Sequence, residues 1–311
     1  MPTPIIIDTD PGQDDAVALL LALASPAELE VVAITTVAGN VPLELTTRNS
    51  LMMVELAGRT DVPVYAGCDQ PMVRPLVTAE FVHGKSGIDG SNLPNPTTQP
   101  ADGHAVDYLL QAIRQRPGMT LCTLGPLTNV GTALQREPGI AEDIEKIVLM
   151  GGGFFEGGNT TPAAEFNIYE DPQAADLVFR SGIPLVMMPL DVTHQALTSD
   201  ARIQAFRDLG NAAGAATAGM LEFYERYDME RYGTLGGPLH DPTVIAYLLE
   251  PEMFGGRHCS VEIETTSELT MGMTVVDWWD LTEADPNCLV VNQIDDQGFY
   301  TLLTDRIGRL P

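Results

Sequence analysis

The feature of this sequence that most constrains its fold is a repeated alternation of short apolar runs with longer helical patterns. Six runs have the length and composition of buried strands, at 4–7, 30–37, 62–66, 119–124, 146–150 and 183–189. Helical spacing of apolar residues occupies most of the intervals, at 14–24, 43–57, 104–116, 127–136 and 172–180. Because strand–helix–strand repeats pair their strands in parallel, the sequence predicts an α/β fold with an open, mostly parallel Rossmann-like sheet and helices on both faces.

The second half of the chain continues the same architecture. Helical patterns persist from 195 to about 250, and strand-like runs return at 259–264, 288–293 and 299–303. No linker rich in Pro, Gly or Ser divides the chain, so we expect a single domain over residues 1–311. Two segments break the alternation, and long irregular segments inside a compact domain are usually functional. We therefore expect candidate lids at 67–103 and 223–238.

The charge balance excludes several classes of partner. Forty-three acidic residues stand against sixteen basic ones, which gives a formal charge of −27. Such a field repels nucleic acid phosphates and anionic membrane surfaces. The longest apolar run, 16–24, is too short to span a membrane, and the first residues lack the basic region of a secretion signal. We expect a cytoplasmic protein with no nucleic acid or membrane partner.

Four carboxylates follow the first predicted strand within eight residues. The motif reads Asp-Thr-Asp-Pro-Gly-Gln-Asp-Asp over residues 8–15 and directly precedes an apolar helix. Helix capping accounts for one or two of these side chains. Four neighbouring carboxylates repel one another unless a cation lies among them, which favours a hard divalent metal. Since ligands of open parallel sheets bind outside the carboxyl ends of the strands, this edge is the expected site.

Other polar or glycine-rich segments follow strands at the same edge. Gly39 and Asn40 follow the second strand, and 125–129 and 151–153 follow the fourth and fifth. Glycine lets the backbone approach a ligand closely, and a main-chain carbonyl could complete a metal shell there. Tight turns without a ligand use the same residues, so both interpretations stay open.

Two later motifs add candidate polar ligands. Glu165 and Asn167 stand two positions apart, so they share one side if the segment is extended and could then bind a polyol. The alternative is a loop that leads into the helix beginning at residue 172. Asp171 is expected to cap the helix that follows it. The second motif, His-Asp-Pro over residues 240–242, precedes an apolar helix, so Asp241 is either an N-cap or a ligand. His240 is either structural or catalytic.

In this order the motifs at 8–15, 150–153, 165–167 and 240–242 resemble those of the inosine-uridine preferring nucleoside hydrolases. The resemblance covers essentially the whole chain and implies the nucleoside hydrolase fold. It implies cleavage of the N-glycosidic bond of ribonucleosides to free base and ribose. It also implies a Ca²⁺ cofactor, whose ligands would be Asp10, Asp15, Asp241 and the carbonyl of Leu124.

The resemblance further implies which residues bind the substrate. Asp14, Asn40, Asn159, Glu165 and Asn167 would contact the ribose, with Met150 packed against it. His83 and His240 would lie near the nucleobase, and the base preference stays open. The resemblance also implies a helix beside the base. The spacing of Tyr224, Asp228 and Tyr232 places them on one face of that helix, and Tyr227 is a competing candidate.

A division of chemical labour follows from these assignments. Asp10 would act as the base toward a Ca²⁺-bound water, with an oxocarbenium-like transition state at the sugar. Glu165 and Asn159 would anchor the 5′ end of the ribose. His240 would protonate or hydrogen-bond the departing base. By the same resemblance the protein would be a homo-oligomer, either a dimer or a tetramer.

Two alternative functions fit parts of the sequence. The Asp8/Asp10 pair after a first strand also resembles the nucleophile motif of haloacid-dehalogenase-like phosphohydrolases. Those enzymes use a later lysine, and neither Lys85 nor Lys146 is placed for that task. A non-catalytic nucleoside-binding protein would keep Asn40 and Asn167, but it would have no need for a metal-assisted base.

Overall fold

The molecule is built on an eight-stranded sheet with a separate two-stranded hairpin. The computed structural model describes residues 1–232 and 236–311, with the backbone alone for 227–232. The sheet strands are β1 Thr3–Thr9, β2 Leu29–Thr36, β3 Val64–Ala66, β4 Met119–Thr123, β5 Ile144–Met150, β6 Leu185–Met188, β7 Phe254–Cys259 and β10 Cys288–Ile294. The hairpin strands are β8 Val261–Ile263 and β9 Thr274–Val276. The sheet order is β3-β2-β1-β4-β5-β6-β10-β7, and every neighbouring pair is parallel except β10 with β7.

Helices cover both faces of this sheet. They are α1 Gln13–Leu23, α2 Leu43–Leu56, α3 Glu80–His83, α4 Ala105–Gln115, α5 Thr128–Arg136, α6 Phe166–Glu170, α7 Pro172–Phe179, α8 Leu190–Thr193, α9 Asp200–Arg207, α10 Ala212–Tyr232, α11 Pro242–Leu249 and α12 Asp296–Ile307. One apolar cluster contains residues of α1, α2, α10, α11 and α12, and a second contains residues of α4, α5 and α7. The predicted α/β architecture is confirmed.

The central strand β1 shows how the sequence produces this layering. Ile5 and Ile7 belong to the first apolar cluster, whereas Ile6 belongs to the second, and all three are fully buried. Successive side chains of a strand point to opposite faces, so an unbroken apolar run is what a strand covered on both faces requires. The α1 helix is also buried along its whole length, as expected for a helix that is apolar on every side.

The predicted strand at 299–303 is wrong, because this segment lies inside α12. Asp295 caps that helix by accepting a hydrogen bond from the Gly298 N–H at 3.0 Å. Its buried apolar residues recur at helical spacing, at Phe299, Leu302, Leu303 and Ile307. A five-residue apolar run fits a buried strand or a buried helix segment equally well, and only the cap and the longer pattern separate them.

The sequence does not predict the edge strand β7 over its observed range, Phe254–Cys259. The predicted strand at 259–264 straddles the end of β7 and the start of β8. Most of β7 is half-buried or exposed, and it contains two consecutive glycines, Gly255 and Gly256. A strand of this kind carries no alternating apolar pattern, so its only signal is pairing with β10.

The sheet register places the candidate residues at one edge. Asp8 in β1 lies opposite Thr35 in β2 and Thr123 in β4, and Thr123 in turn lies opposite Leu149 in β5. Since these strands are parallel, the segments after them emerge side by side. Among the described residues, no helix combines the length and the hydropathy needed to cross a bilayer.

The first candidate lid, 67–103, is largely irregular and is attached to the body at several points. Near its start, the Met72 and Val77 N–H groups donate to Asp171 and Glu170, at 2.8 and 2.9 Å. Near its end, Glu55 accepts hydrogen bonds from the backbone and side chains of Thr97 and Thr98. The stretch around α3 is attached as well, since the Gln13 amide donates to the His83 carbonyl at 2.9 Å and the Asn49 amide to the Ser86 carbonyl at 2.7 Å. A lid role for the segment stays a prediction.

Candidate functional site

A cavity of about 650 Å³ opens at the carboxyl edge of the sheet. Its described lining includes most of the residues proposed from the sequence: Asp14, Asn40, His83, Leu124, Met150, Asn159, Glu165, Asn167, Tyr224, His240 and Asp241. No lysine or arginine occurs among the described lining residues. The cavity is therefore suited to an uncharged or cationic ligand with many hydroxyl groups.

Four aspartates at one part of the cavity, Asp10, Asp14, Asp15 and Asp241, are here termed the acidic end. Asp14 and Asp241 belong to the described lining, whereas Asp10 and Asp15 are fully buried next to them. Carboxylate oxygens of Asp14, Asp15 and Asp241 all lie within 4.8 Å of one another, and these side chains are buried. The sequence placed Asp10 rather than Asp14 among the metal ligands, so the geometry adds Asp14 to the candidates. The sheet edge thus brings together residues from the loop after β1 and from the start of α11.

Asp10 is fully buried beside this group. Its Oδ2 accepts a hydrogen bond from the Asn40 N–H at 2.7 Å, whereas its Oδ1 has no hydrogen-bond partner. A Cβ on Gly39 or Gly125 would come within 2.1 or 2.2 Å of the Asp10 carboxylate. The glycines after β2 and β4 are therefore needed so that the backbone can pass close to this side chain.

Asp15 differs from its neighbours because its carboxylate is well supplied with donors. It accepts hydrogen bonds from the Thr9 hydroxyl at 2.6 Å, the Gly12 N–H at 3.0 Å and the Asn40 amide at 3.1 Å. By contrast, Asp14 Oδ1 is buried without a partner. Asp241 occupies the N-cap position of α11, but its side chain makes no capping hydrogen bond. Capping therefore does not account for Asp241.

Burial and mutual repulsion perturb the acidic end strongly. Loss of solvent and then the neighbouring Asp15 charge raise the pKa of Asp14 to about 7. The same causes raise the pKa of Asp10 well above its usual value, and burial followed by the Asp14 charge does so for Asp241. Unpartnered buried carboxylate oxygens in such a group fit a divalent cation, which would favour the ionised forms.

The carbonyl of Leu124 is available at the same place. It accepts a hydrogen bond from the Asn167 side-chain amide at 2.7 Å. A carbonyl oxygen has two lone pairs, so a second interaction is possible. Asn167 also donates to the Met150 carbonyl at 3.2 Å, which ties the ends of β4 and β5 to α6.

Glu165 also lines the cavity and is buried. The segment 165–167 is not extended throughout, since Glu165 is the N-cap of α6 and accepts a hydrogen bond from the Asn167 N–H at 2.9 Å. The N-terminal turn of a helix offers free N–H groups, and a carboxylate at this position satisfies them. Burial raises the pKa of Glu165 to about 7. Asn159 lies beside it and accepts from the Phe166 N–H at 3.0 Å.

Two buried histidines and a tyrosine, His83, His240 and Tyr224, form what is here termed the histidine end. The His83 Nδ1 lies 2.8 Å from the Gln13 side-chain oxygen, and its ring stacks on Tyr224 with centroids 5.5 Å apart. The His240 Nδ1 lies 2.7 Å from the Thr193 hydroxyl. Burial lowers the pKa of His83 to about 3 and that of His240 well below its usual value. Both rings are therefore neutral at pH 7.

Three candidates on α10 lie outside the described side chains, namely Asp228, Tyr232 and the competing Tyr227. The second candidate lid, 223–238, contains the same stretch. Of the predicted helical face, only Tyr224 has a described side chain, which is buried at the cavity wall. The assignments of the other residues stay predictions.

The sequence interpretation did not include five polar residues of the described cavity wall, namely Glu156, Thr160, Asp191, His194 and Gln195. His194 Nδ1 lies 3.1 Å from a carboxylate oxygen of Glu156, and the His194 ring centroid lies 5.9 Å from that of His240. Asp191 accepts hydrogen bonds from the backbone N–H groups of the loop 154–156. Asp191 and His194 both follow the sixth predicted strand, so the rule that ligands bind at strand ends would have indicated them.

Comparison with known proteins gives one consistent result. The family model described as inosine-uridine preferring nucleoside hydrolase matches residues 5–301. An uncharacterised protein of Schizosaccharomyces pombe is 53% identical, and the pyrimidine-specific ribonucleoside hydrolase RihA of Salmonella typhi is 49% identical, each over 309 residues and 99% of both chains. A solved purine-preferring ribonucleoside hydrolase from Gardnerella vaginalis superimposes with a TM-score of 0.92 at 33% identity, covering 98% of both chains.

Proposed function

Since the chain belongs to the inosine-uridine preferring nucleoside hydrolase family and is an N-glycosidase, we propose which of its residues carry out nucleoside hydrolysis and which metal assists them. The observation that carries the proposal is the group of buried carboxylates of Asp14, Asp15 and Asp241. Two of them, Asp14 and Asp241, line a cavity that has no described lysine or arginine in its wall. Such a site favours a bound cation and a neutral, hydroxyl-rich substrate.

The metal ligands we propose are Asp10, Asp15, Asp241 and the carbonyl of Leu124. The described carboxylate group supports Asp15 and Asp241 and adds Asp14 as a further candidate, whereas Asp10 is included from the resemblance of the sequence motif. Ca²⁺ fits this set because it takes 6–8 oxygen ligands in flexible geometry, whereas Mg²⁺ prefers a strict octahedron. A bound Ca²⁺ supplies a lower pKa for water and an anchor for vicinal hydroxyl groups.

Asp10 is the proposed general base. Its Oδ2 is held by the Asn40 N–H, which leaves the unpartnered Oδ1 to accept a proton from the attacking water. The water oxygen then bonds to C1′ of the ribose, and the glycosidic C–N bond breaks with its electron pair going to the base. The transition state resembles an oxocarbenium ion, as in other glycosidases.

The remaining polar residues hold the ribose in place. Asp14, Asn40 and Asn167 would bind its hydroxyl groups, and Met150 would pack against the ring. Glu165 and Asn159, which also line the cavity, would bind the 5′ hydroxyl of the ribose. Binding at a distance from C1′ lowers the barrier when it is used to distort or orient the reacting sugar.

At the histidine end, His240 would assist the departing base. Because burial keeps its ring neutral, His240 would donate a hydrogen bond to the base from Nε2 while Nδ1 accepts from the Thr193 hydroxyl. His83 and Tyr224 would contact the base, together with Asp228 and Tyr232. The hydrogen bond from neutral His240 would stabilise the departing base without a prior protonation of the imidazole ring.

A pyrimidine ribonucleoside is the proposed preferred substrate. Support comes from the 49% identity to a protein named as pyrimidine-specific, compared with 33% to one named as purine-preferring. Membership of this family argues against the phosphohydrolase and the non-catalytic binding protein. Asp8 Oδ1 also accepts hydrogen bonds from Asn129 and Thr35 within the sheet, so this oxygen is not free to act as a nucleophile. The cytoplasmic location and the homo-oligomer stay proposals.

A substrate panel combined with chelation tests this function. Uridine, cytidine and inosine are incubated with the enzyme, and release of free base and reducing sugar is measured for each. We expect the two pyrimidine nucleosides to be cleaved faster than inosine. Treatment with a chelator should abolish turnover and lower Tm, since a cation that binds only the folded state stabilises it. Ca²⁺ should restore both quantities better than Mg²⁺, and full activity after complete metal removal would refute the metal assignment.

A further inference from the structure

One buried side chain, Thr274 of β9, connects the β8–β9 hairpin to the glycine-rich loop after β5. The Thr274 hydroxyl donates to the Gly153 carbonyl at 2.6 Å and accepts from the Gly153 N–H at 3.0 Å. Thr274 is only 1% exposed. A hydroxyl has one donor and two lone pairs, so this single group satisfies both backbone groups of Gly153.

The same side chain also packs against the preceding residue of the loop. Gly152 has φ +79°, in the left-handed region, and a Cβ placed there would lie 2.8 Å from Thr274 Cγ2. Glycine is the residue that adopts this backbone conformation without strain and leaves room for Thr274. Glycine at this position therefore lets the loop after β5 pack closely on β9, while the Gly152 carbonyl accepts a hydrogen bond from the Leu190 N–H at 2.9 Å.

The backbone N–H of Gly152 in turn donates a hydrogen bond to the buried Glu165 carboxylate. The donor nitrogen lies 2.9 Å from Glu165 Oε2. The other backbone donors to Glu165 are Asn167 and Ile168, which belong to its own helix, α6. Gly152 is therefore the donor that fixes Glu165 relative to the loop after β5.

We propose that Thr274 is a positioning residue for Glu165, acting through Gly153 and Gly152. The proposal rests on the proposed function, in which Glu165 binds the 5′ hydroxyl of the ribose. Thr274 does not itself line the described wall of the cavity. It therefore influences the substrate only through the backbone of Gly153 and Gly152 and through Glu165. Its loss should loosen the Glu165 carboxylate and weaken recognition of the 5′ hydroxyl.

The test compares Thr274→Val, which keeps the shape but removes the hydroxyl, with Thr274→Ser, which keeps the hydroxyl. Each is assayed on uridine and on 5′-deoxyuridine. For Thr274→Val we expect kcat/KM to fall about ten-fold on uridine and to stay within about two-fold on 5′-deoxyuridine. Thr274→Ser should retain the wild-type preference for the 5′ hydroxyl. Thr304→Val removes a hydroxyl that bonds within α12, and it serves as the matched control.

A purely structural role for Thr274 gives a different pattern. In that case Thr274→Val would lower Tm and reduce both substrates equally, and this result would overturn the proposal. If the valine variant does not fold, Thr274→Ala provides a second variant without the hydroxyl and carries the same expectation. A wild-type enzyme that fails to cleave uridine and every other ribonucleoside refutes the proposed function itself. A wild-type enzyme that cleaves uridine and 5′-deoxyuridine equally well refutes only the Glu165 and Thr274 assignments.

Discussion

The acidic end and the histidine end of the cavity are built in different ways. Asp10, Asp14 and Asp15 follow directly after the central strand β1, and Asn40 after β2 ties two of them to the neighbouring strand. His83 and Tyr224 instead come from α3 and α10, which pack outside the sheet. The acidic end therefore inherits its geometry from the strand register, whereas the histidine end depends on how helices and loops pack on that frame.

This difference suggests a separation of chemistry from base selection. Residues fixed at strand ends can hold a metal, a water and a ribose in constant geometry. Residues on loops and peripheral helices vary more freely without disturbing the frame. The two ends meet at His240 and Asp241, which are adjacent in the chain, so substitutions there affect both. Three experiments sharpen the comparison, in order of decreasing expected effect.

Removal of the substrate 2′ hydroxyl should have the largest effect. Asp14 and Asn167 line the cavity, and in the proposed function they and the metal bind the ribose diol. Buried polar groups left without partners are costly. We expect kcat/KM to fall about 10⁴-fold from uridine to 2′-deoxyuridine. Uracil release measured for both compounds, with 5′-deoxyuridine as a third, checks this. Similar values for uridine and 2′-deoxyuridine would show that the acidic end does not bind the diol.

Asp10→Asn should have the next largest effect. The amide has nearly the shape of the carboxylate but cannot accept the proton of the attacking water, so kcat should fall about 10³-fold. The measurement is kcat on uridine, together with the metal content of the purified variant. Asp107→Asn, on the exposed part of α4, is the control and should behave as wild type. Near-normal turnover by Asp10→Asn would assign the base to another residue.

His240→Ala should have the smallest effect and should depend on the leaving group. If His240 donates a hydrogen bond to the base, kcat on uridine should fall about 10²-fold. Cleavage of p-nitrophenyl riboside should be nearly unchanged, since its phenolate leaves without such help. His258→Ala, on an exposed part of β7, is the control. Equal losses on both substrates, with metal content unchanged, would mean that His240 has no role toward the base.

Much of the fold and of the acidic end follows from local sequence patterns. The alternation of apolar runs and helical patterns gave the parallel sheet, because each element has its own period of burial. The rule that ligands bind at the carboxyl ends of strands then located the cavity edge, since it needs only strand direction. Asp171 was likewise recognised as a helix cap from its position before Pro172, and it accepts from the Ala174 N–H at 3.0 Å.

Sequence patterns did not predict the secondary structure of short segments that fit both a strand and a helix, or that carry no apolar periodicity. The run at 299–303 is as apolar as a strand, but it belongs to a capped helix. Glu165 and Asn167 face the cavity for a different reason from the predicted one, because a helix begins between them. The edge strand β7 has no apolar alternation, and only its partner β10 makes it a strand.

The sequence by itself determined the sheet, its functional edge and the four clustered carboxylates of residues 8–15. Only the tertiary structure decided that Asp241 joins Asp14 and Asp15, that His194 meets Glu156, and that Thr274 supports Gly153. The reason is physical. The spacing of buried residues in a helix or strand depends only on neighbouring residues, so it can be recognised in a short stretch of sequence. Contacts between distant segments depend on how every intervening element packs.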